Sequence, residues 1–178
     1  EIAQELDTSI LDYWQSVYLP LCLAGLGDQS IDVKRNAALC AGTCCENLRE
    51  RIVGDYPQLL QAIEPLFAVD PAGGESAEAC LDNSAACLAR MIMAAPGSIP
   101  MPQVLPAVLK LLPLKSDMSE NETVYNCLLG LIQVGHQDAL AQKPELKRIF
   151  TAAISSDSKV DNEIQEKLKQ ALGLPALQ

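Results

Sequence analysis

Seven cysteines, one histidine and a lopsided set of carboxylates are the residues of this chain that could do chemistry. The cysteines stand at 22, 40, 44, 45, 80, 87 and 127. None forms a C-x-x-C pair, and His136 has no cysteine or second histidine at ligand spacing, so no zinc site is expected. Cys44 and Cys45 are adjacent, point different ways on a helix and make a poor chelate. An odd number of thiols on helical faces points to reduced, buried cysteines acting as small hydrophobes, as in cytosolic or nuclear proteins. A Ser or Cys nucleophile needs a base within reach, and no motif supplies one around His136. Gly73-Gly74 lacks the lysine and the preceding strand of a phosphate-cradling loop. No enzyme, cofactor or metal is expected. The carboxylates carry the remaining signal. The net charge is −10, and residues 1–82 hold 14 acids against 4 bases while residues 83–178 hold 9 of each. That balance argues against nucleic acid as the main partner. An acidic half is either a steering surface for a basic partner or a solvated face, and charge alone does not separate the two.

The elements that must position these residues are helical. Aromatics are 4% of the chain and apolar residues 49%. A core of Leu, Ala, Val, Ile and Cys suits close-packed helices. Apolar residues recur at three- and four-residue spacing without sustained alternation. No apolar run is long enough to span a bilayer, and no signal segment is seen, so no membrane partner is expected. The chain starts inside a helical pattern, residues 1–6 reading as the tail of an earlier helix, and is expected to be part of something larger. Gly25-Leu26-Gly27-Asp28, Asp70-Pro71-Ala72-Gly73-Gly74, residues 95–100, 113–117 and 155–157 read as breaks. Ser119 with Glu122 reads as a capping box, and Ser158 with Asp161 as a weaker one. Loop aspartates at 28, 70, 117 and 157 are 42, 47 and 40 residues apart. Two helices per period of this length predict an all-α superhelix of about four HEAT repeats, each an antiparallel helix pair. The expected pairs are 8–26 with 31–52, 56–69 with 76–94, 102–113 with 119–135, and 138–154 with 158–172, one array covering 1–178. Pro20, Asp28, Val33 and Lys34 fit the motif of such a repeat: the proline bends the first helix, the aspartate caps the turn, and the basic residue pairs across to a neighbouring repeat. Later repeats keep less of it.

The second helices align with one another. Asn36-Ala-Ala-Leu-Cys40 matches Asn83-Ser-Ala-Ala-Cys87, and Asn126-Cys-Leu-Leu-Gly130 matches more loosely. The asparagines serve either a hydrogen-bond ladder across repeats or contact with a ligand. On a helical wheel Val33, Ala37, Cys40, Ala41, Cys44 and Leu48 form the buried side of 31–52. Opposite them fall Asp32, Arg35, Leu39, Thr43, Glu46 and Glu50, with Asn36 and Asn47 at the margin. The matching stripes are Asp82, Ala86, Arg90 and Met93, then Tyr125, Leu129 and Gln133. Second helices line the concave face of stacked pairs. An extended Lys/Arg-rich peptide is therefore a fitting ligand: carboxylates take its charged heads while Leu39, Met93 and Tyr125 cover its aliphatic stems. The candidate binding residues are Asp32, Asn36, Glu46, Glu50, Glu78, Asp82, Asn83, Tyr125 and Asn126. Trp14 is expected to pack against a neighbouring repeat and His136 to cap a helix end.

Three segments carry a resemblance: Asp32-Val-Lys-Arg-Asn-Ala-Ala-Leu-Cys-Ala-Gly42, Leu81-Asp-Asn-Ser-Ala-Ala-Cys-Leu-Ala-Arg-Met-Ile92, and Val104-Leu-Pro-Ala-Val-Leu-Lys-Leu-Leu-Pro-Leu-Lys115. In that order they resemble the C-terminal repeats of the importin-β (karyopherin-β) family of nuclear transport receptors. The last 40 residues match less clearly, as a terminal cap would. The resemblance implies a receptor that shuttles between cytoplasm and nucleus. It implies basic protein cargo such as histone H3–H4 or ribosomal proteins, passage through the pore on phenylalanine-glycine nucleoporins, and release by Ran-GTP on repeats that this chain lacks. The rival expectation is a HEAT scaffold subunit of another complex with no import role.

Overall fold

Leu, Ala and Cys at helical spacing build helices wherever glycine, proline or a turn aspartate does not interrupt them. The computed structural model describes residues 10–155 and 158–177, and among these every element is helical and none is a strand. Asp157 and residues 1–9 lie outside the described residues. The first helix enters through a short turn, Leu11–Tyr13, and a π-helical stretch, Trp14–Tyr18, before α1 (Leu19–Leu26). Proline has no N–H to give and its ring crowds the carbonyl four residues back, so the widened turn sits directly before Pro20. Then follow α2 (Ile31–Leu48), α3 (Tyr56–Ile63), α4 (Glu75–Ala94), α5 (Met101–Lys110), α6 (Asn121–Gln133), α7 (Gln137–Ala141), α8 (Lys143–Ala153) and α9 (Asn162–Leu172).

Two layers result. The helices α2, α4, α6 and α9 stack on one another in a continuous row, and α1, α3, α5 and α8 pack outside it. This is an α-α superhelix. The row is tightest between α2 and α4, where small residues meet. A Cβ on Gly42 would come within 2.9 Å of the Cys87 backbone, and one on Gly25 of α1 within 2.7 Å of the Ala37 side chain. Trp14, Tyr56, Tyr125 and Phe150 are the largest fully buried side chains.

The turn aspartates act as expected where they are described. Asp28 accepts the Ser30 N–H at 2.7 Å, and Asp70 accepts the Ala72 N–H at 2.9 Å. Three boundaries differ from expectation. Residues 138–154 form two helices rather than one, because Pro144 cannot donate into the ladder and α8 restarts with it in its first turn. Ser119 lies inside a 3-10 turn, Met118–Glu120, and its Oγ donates to Asp117 Oδ1 at 2.6 Å instead of capping α6. Ser158 Oγ accepts the Val160 N–H, and α9 begins at Asn162.

Candidate partner-binding face

Exposure divides the nine candidates in two. Asp32 and Asn36 stand exposed in the first turns of α2, and Glu46 and Glu50 lie exposed around its C-terminal end. Glu78 on α4 and Asn126 on α6 are half-buried. These six contribute polar surface to the inner row. The other three, Asp82, Asn83 and Tyr125, are buried, which corrects the stripe read from the wheel. A helical wheel assigns one buried side per helix. Here α4 is covered from both sides by α2 and α6 and from outside by α5, so nearly its whole circumference is interior.

Asp82 and Asn83 have structural partners. The Asp82 carboxylate accepts the backbone N–H groups of Lys115 (3.1 Å to each oxygen), Ser116 (2.7 Å) and Asp117 (2.8 Å). Asn83 Nδ2 donates to Asp117 Oδ2 at 2.8 Å and to the Ala79 carbonyl at 2.9 Å. Together they hold the 115–117 loop against α4 two turns in from its start. The asparagines therefore form no simple ladder: Asn83 bridges to the next turn, while Asn36 faces solvent. Burial pushes the pKa of Asp117 up, but hydrogen bonds from Ser119 and Asn83 and the charge of Arg35 hold it, on balance, below the ordinary carboxylate value. Tyr125 is fully buried and meets Phe150 edge to face, with ring centroids 6.4 Å apart.

Arg90 was expected on the exposed stripe and is buried as well. Its Nε lies 3.2 Å from Glu46 Oε2 and an Nη 2.8 Å from Glu120 Oε2. Glu120 is itself buried, while the Glu46 side chain keeps 52% of its surface exposed. One guanidinium thus joins α2, α4 and the turn before α6, satisfying a buried carboxylate on one side and a surface one on the other. Val33 and Thr43 are exchanged relative to the wheel: Val33 is exposed and Thr43 is buried, with its hydroxyl donating to the Leu39 carbonyl.

Glu120 and the 115–117 loop are the residues that sequence reasoning missed. One signal was available: Arg90 is the lone charge in the apolar run Leu88–Ile92, and Asp82-Asn83 follows Leu81 and precedes Ser-Ala-Ala-Cys. Polar residues set in such runs are buried with partners. Trp14 packs inside the chain, its Nε1 donating to Asp55 Oδ2 at 2.7 Å at the entrance to α3. His136 occupies the residue before α7 without a capping bond, its Nδ1 3.9 Å from Asp138. Burial pushes the thiols of Cys87 and Cys127 up to about 12, and Cys45 rises for the same reason. Among the described residues no group of three metal-capable side chains is placed to hold an ion, and no helix is long and apolar enough to cross a membrane.

The outer layer has its own opening. A groove of about 750 Å³ runs between α3 and α5, floored by Leu88 and walled by Leu60, Ile63, Phe67, Val104 and Ala107.

No family model matches the chain. Curated proteins do. The chain is 30% identical over 169 residues to the probable importin subunit beta-4 of Schizosaccharomyces pombe, a match covering 94% of the chain and 15% of that protein. It is 32% identical over 154 residues to human importin-4, covering 86% of the chain and 13% of the relative. It is 30% identical over 172 residues to mouse importin-4, covering 97% and 15%. The chain thus spans about one seventh of the length of these relatives. The resemblance to the importin-β family holds along nearly the whole chain, well beyond the three segments that carry it in the sequence.

Proposed function

We propose that this chain is a C-terminal segment of a nuclear import receptor, one array of four HEAT repeats at about 8–52, 56–94, 102–135 and 138–172. The observation that carries the reading is the match to importin-4 across 86–97% of the chain. The receptor shuttles between cytoplasm and nucleus and performs no enzymatic step. Its inner row takes basic protein cargo, with histone H3–H4 as the leading class. The exposed carboxylates Asp32 and Glu50 and the half-buried Glu78 meet Lys and Arg heads, and Asn36 and Asn126 hold the cargo backbone. Glu46 contributes from beside Arg90. Each exposed ion pair supplies only ~0.2–1 kcal/mol, so several must act together and binding falls with salt. Ran-GTP acts through repeats outside this chain. The apolar groove between α3 and α5 suits a phenylalanine ring of a nucleoporin repeat, since its walls are Leu60, Ile63, Phe67, Val104 and Ala107 and it opens on the outer layer.

Fluorescence anisotropy of a labelled histone H3 tail peptide tests the cargo site at low and physiological salt. Saturable binding that prefers the native peptide over a scramble of equal charge is expected. It should be lost in the Asp32→Lys, Glu50→Lys, Glu78→Lys variant. Equal binding of the scramble, or none at either salt, overturns the cargo assignment.

A further inference from the structure

Three of the seven thiols meet in the first hairpin. Cys22 on α1 and Cys40 on α2 lie 3.8 Å apart, sulfur to sulfur, and Cys44, one turn along α2, belongs to the same hydrogen-bonded set. Their access differs. Cys22 and Cys44 are buried, whereas Cys40 is half-buried. Cys22 and Cys40 both line an open groove of about 280 Å³, with Leu21, Val33 and Asn36 around them. No cation lines that groove, so a thiolate there has to be held by the neighbouring thiols. Hydrogen bonds from Cys22 and Cys44 lower Cys40 well below the ordinary thiol value, against the opposing effect of burial. Cys22, the donor, is raised. The remaining buried thiols have no such arrangement: burial leads the causes that raise Cys45, Cys80, Cys87 and Cys127.

We propose that Cys40 and Cys22 form a modification site for hydroperoxides, with Cys40 the attacking sulfur and Cys22 the resolving one. The Cys40 thiolate attacks one peroxide oxygen. The O–O bond breaks, hydroxide leaves and takes a proton to become water, and Cys40 becomes a sulfenic acid. The Cys22 sulfur then displaces that hydroxyl, which leaves as a second water, and the Cys22–Cys40 disulfide closes. Two thiols lose two electrons and the peroxide gains them. The sulfurs must approach by about 1.8 Å to reach a bond of about 2.05 Å. The product ties α1 to α2 beside the Gly25–Ala37 contact and fills the groove next to Asn36.

The test uses the reduced 178-residue chain at neutral pH, treated with hydrogen peroxide, alkylated, digested with trypsin and read by mass spectrometry. Cleavage after Lys34, Arg35 and Arg49 separates Cys22 from Cys40. The expected result is a linked pair of peptides 1–34 and 36–49, short of two hydrogens. It should form at least tenfold faster than Cys87 loses its free thiol, and should not form preferentially in the urea-unfolded chain. That native-against-unfolded comparison needs no variant. Cys40→Ser abolishes the link, and Cys22→Ser stops the reaction at a Cys40 sulfenic acid trapped by dimedone. A link that persists in Cys40→Ser, or Cys40 oxidising no faster than Cys87, overturns the proposal.

Discussion

Removing the Asp82 carboxylate is the sharpest test of how the repeats are joined. Asp82 is 1% exposed and accepts three backbone N–H groups of the 115–117 loop, one of them through both oxygens. Hydrogen bonds to a charged acceptor contribute about 1.5–3 kcal/mol each. The loop itself is half-exposed, so water recovers part of the loss once the side chain is gone. Asp82→Ala should therefore cost about 3–4 kcal/mol. Asp82→Asn, which keeps one acceptor oxygen but turns an amide N–H2 toward the same donors, should cost about 2 kcal/mol. With a urea m-value of about 2 kcal/mol/M the alanine variant unfolds at a midpoint about 1.5–2 M lower. Hydrogen exchange adds a local readout: the amides of Lys115, Ser116 and Asp117 should lose their protection before the rest of α4 does. A midpoint within about 0.5 M of wild type, with those amides still protected, would refute the reasoning, because it would mean water serves the loop as well as Asp82 does.

Four further outcomes follow from neighbouring contacts. Arg90→Met leaves Glu120 buried without its cation and should cost about 3–5 kcal/mol in urea unfolding, most of it recovered in the Arg90→Met, Glu120→Met double variant; a loss below 1 kcal/mol would show that Glu120 is served otherwise. Glu46→Ala, with an exposed side chain, should cost under about 1 kcal/mol by the same measurement. Asp117 titrates below its ordinary value in the folded chain, so its contribution to stability is complete above the unfolded carboxylate pKa of about 3.9 and is lost as pH falls through the lower folded value; a pH series of urea midpoints should show a smaller acid loss in Asn83→Ala, which lacks one of the bonds responsible. Gly42→Ala gains about 1 kcal/mol of helix propensity but drives a methyl to 2.9 Å from the Cys87 backbone, and should be net destabilising by about 1–2 kcal/mol, read as a lower melting temperature.

The helical architecture is legible because it rests on local signals. Apolar spacing, turn aspartates and the Gly25–Asp28 and Asp70–Gly74 breaks each act within a few residues. The break at Gln142 was missed although Pro144 announces it, since periodicity continues across the interruption. The candidate face was less legible. Whether Asp32 or Asp82 meets solvent depends on which helices flank its own, and that is fixed by contacts 30 or more residues away in sequence. Asp32 lies in the first turn of α2, whereas Asp82 lies two turns into α4. α4 is moreover enclosed on both sides, and the 115–117 loop packs onto it at Asp82. Arg90 and Glu46 were both read as surface charges; only their mutual distance shows that one is an anchor for the other. The thiol cluster was likewise invisible, because Cys22 and Cys40 sit on different helices and share no short motif.

The Asp82 latch recognises main chain and nothing else. Its carboxylate is blind to side chains, so Lys115 and Ser116 are free to vary in size and charge without loosening the join, whereas Asp117 also holds it by accepting the Asn83 amide on its own carboxylate. Only proline, which has no N–H, is forbidden there. The Asp82 share of the connection between the second and third helix pairs thus rests on one fixed acid and three backbone amides. That arrangement lets the loop's outward surface change its chemistry while the path of the superhelix stays the same.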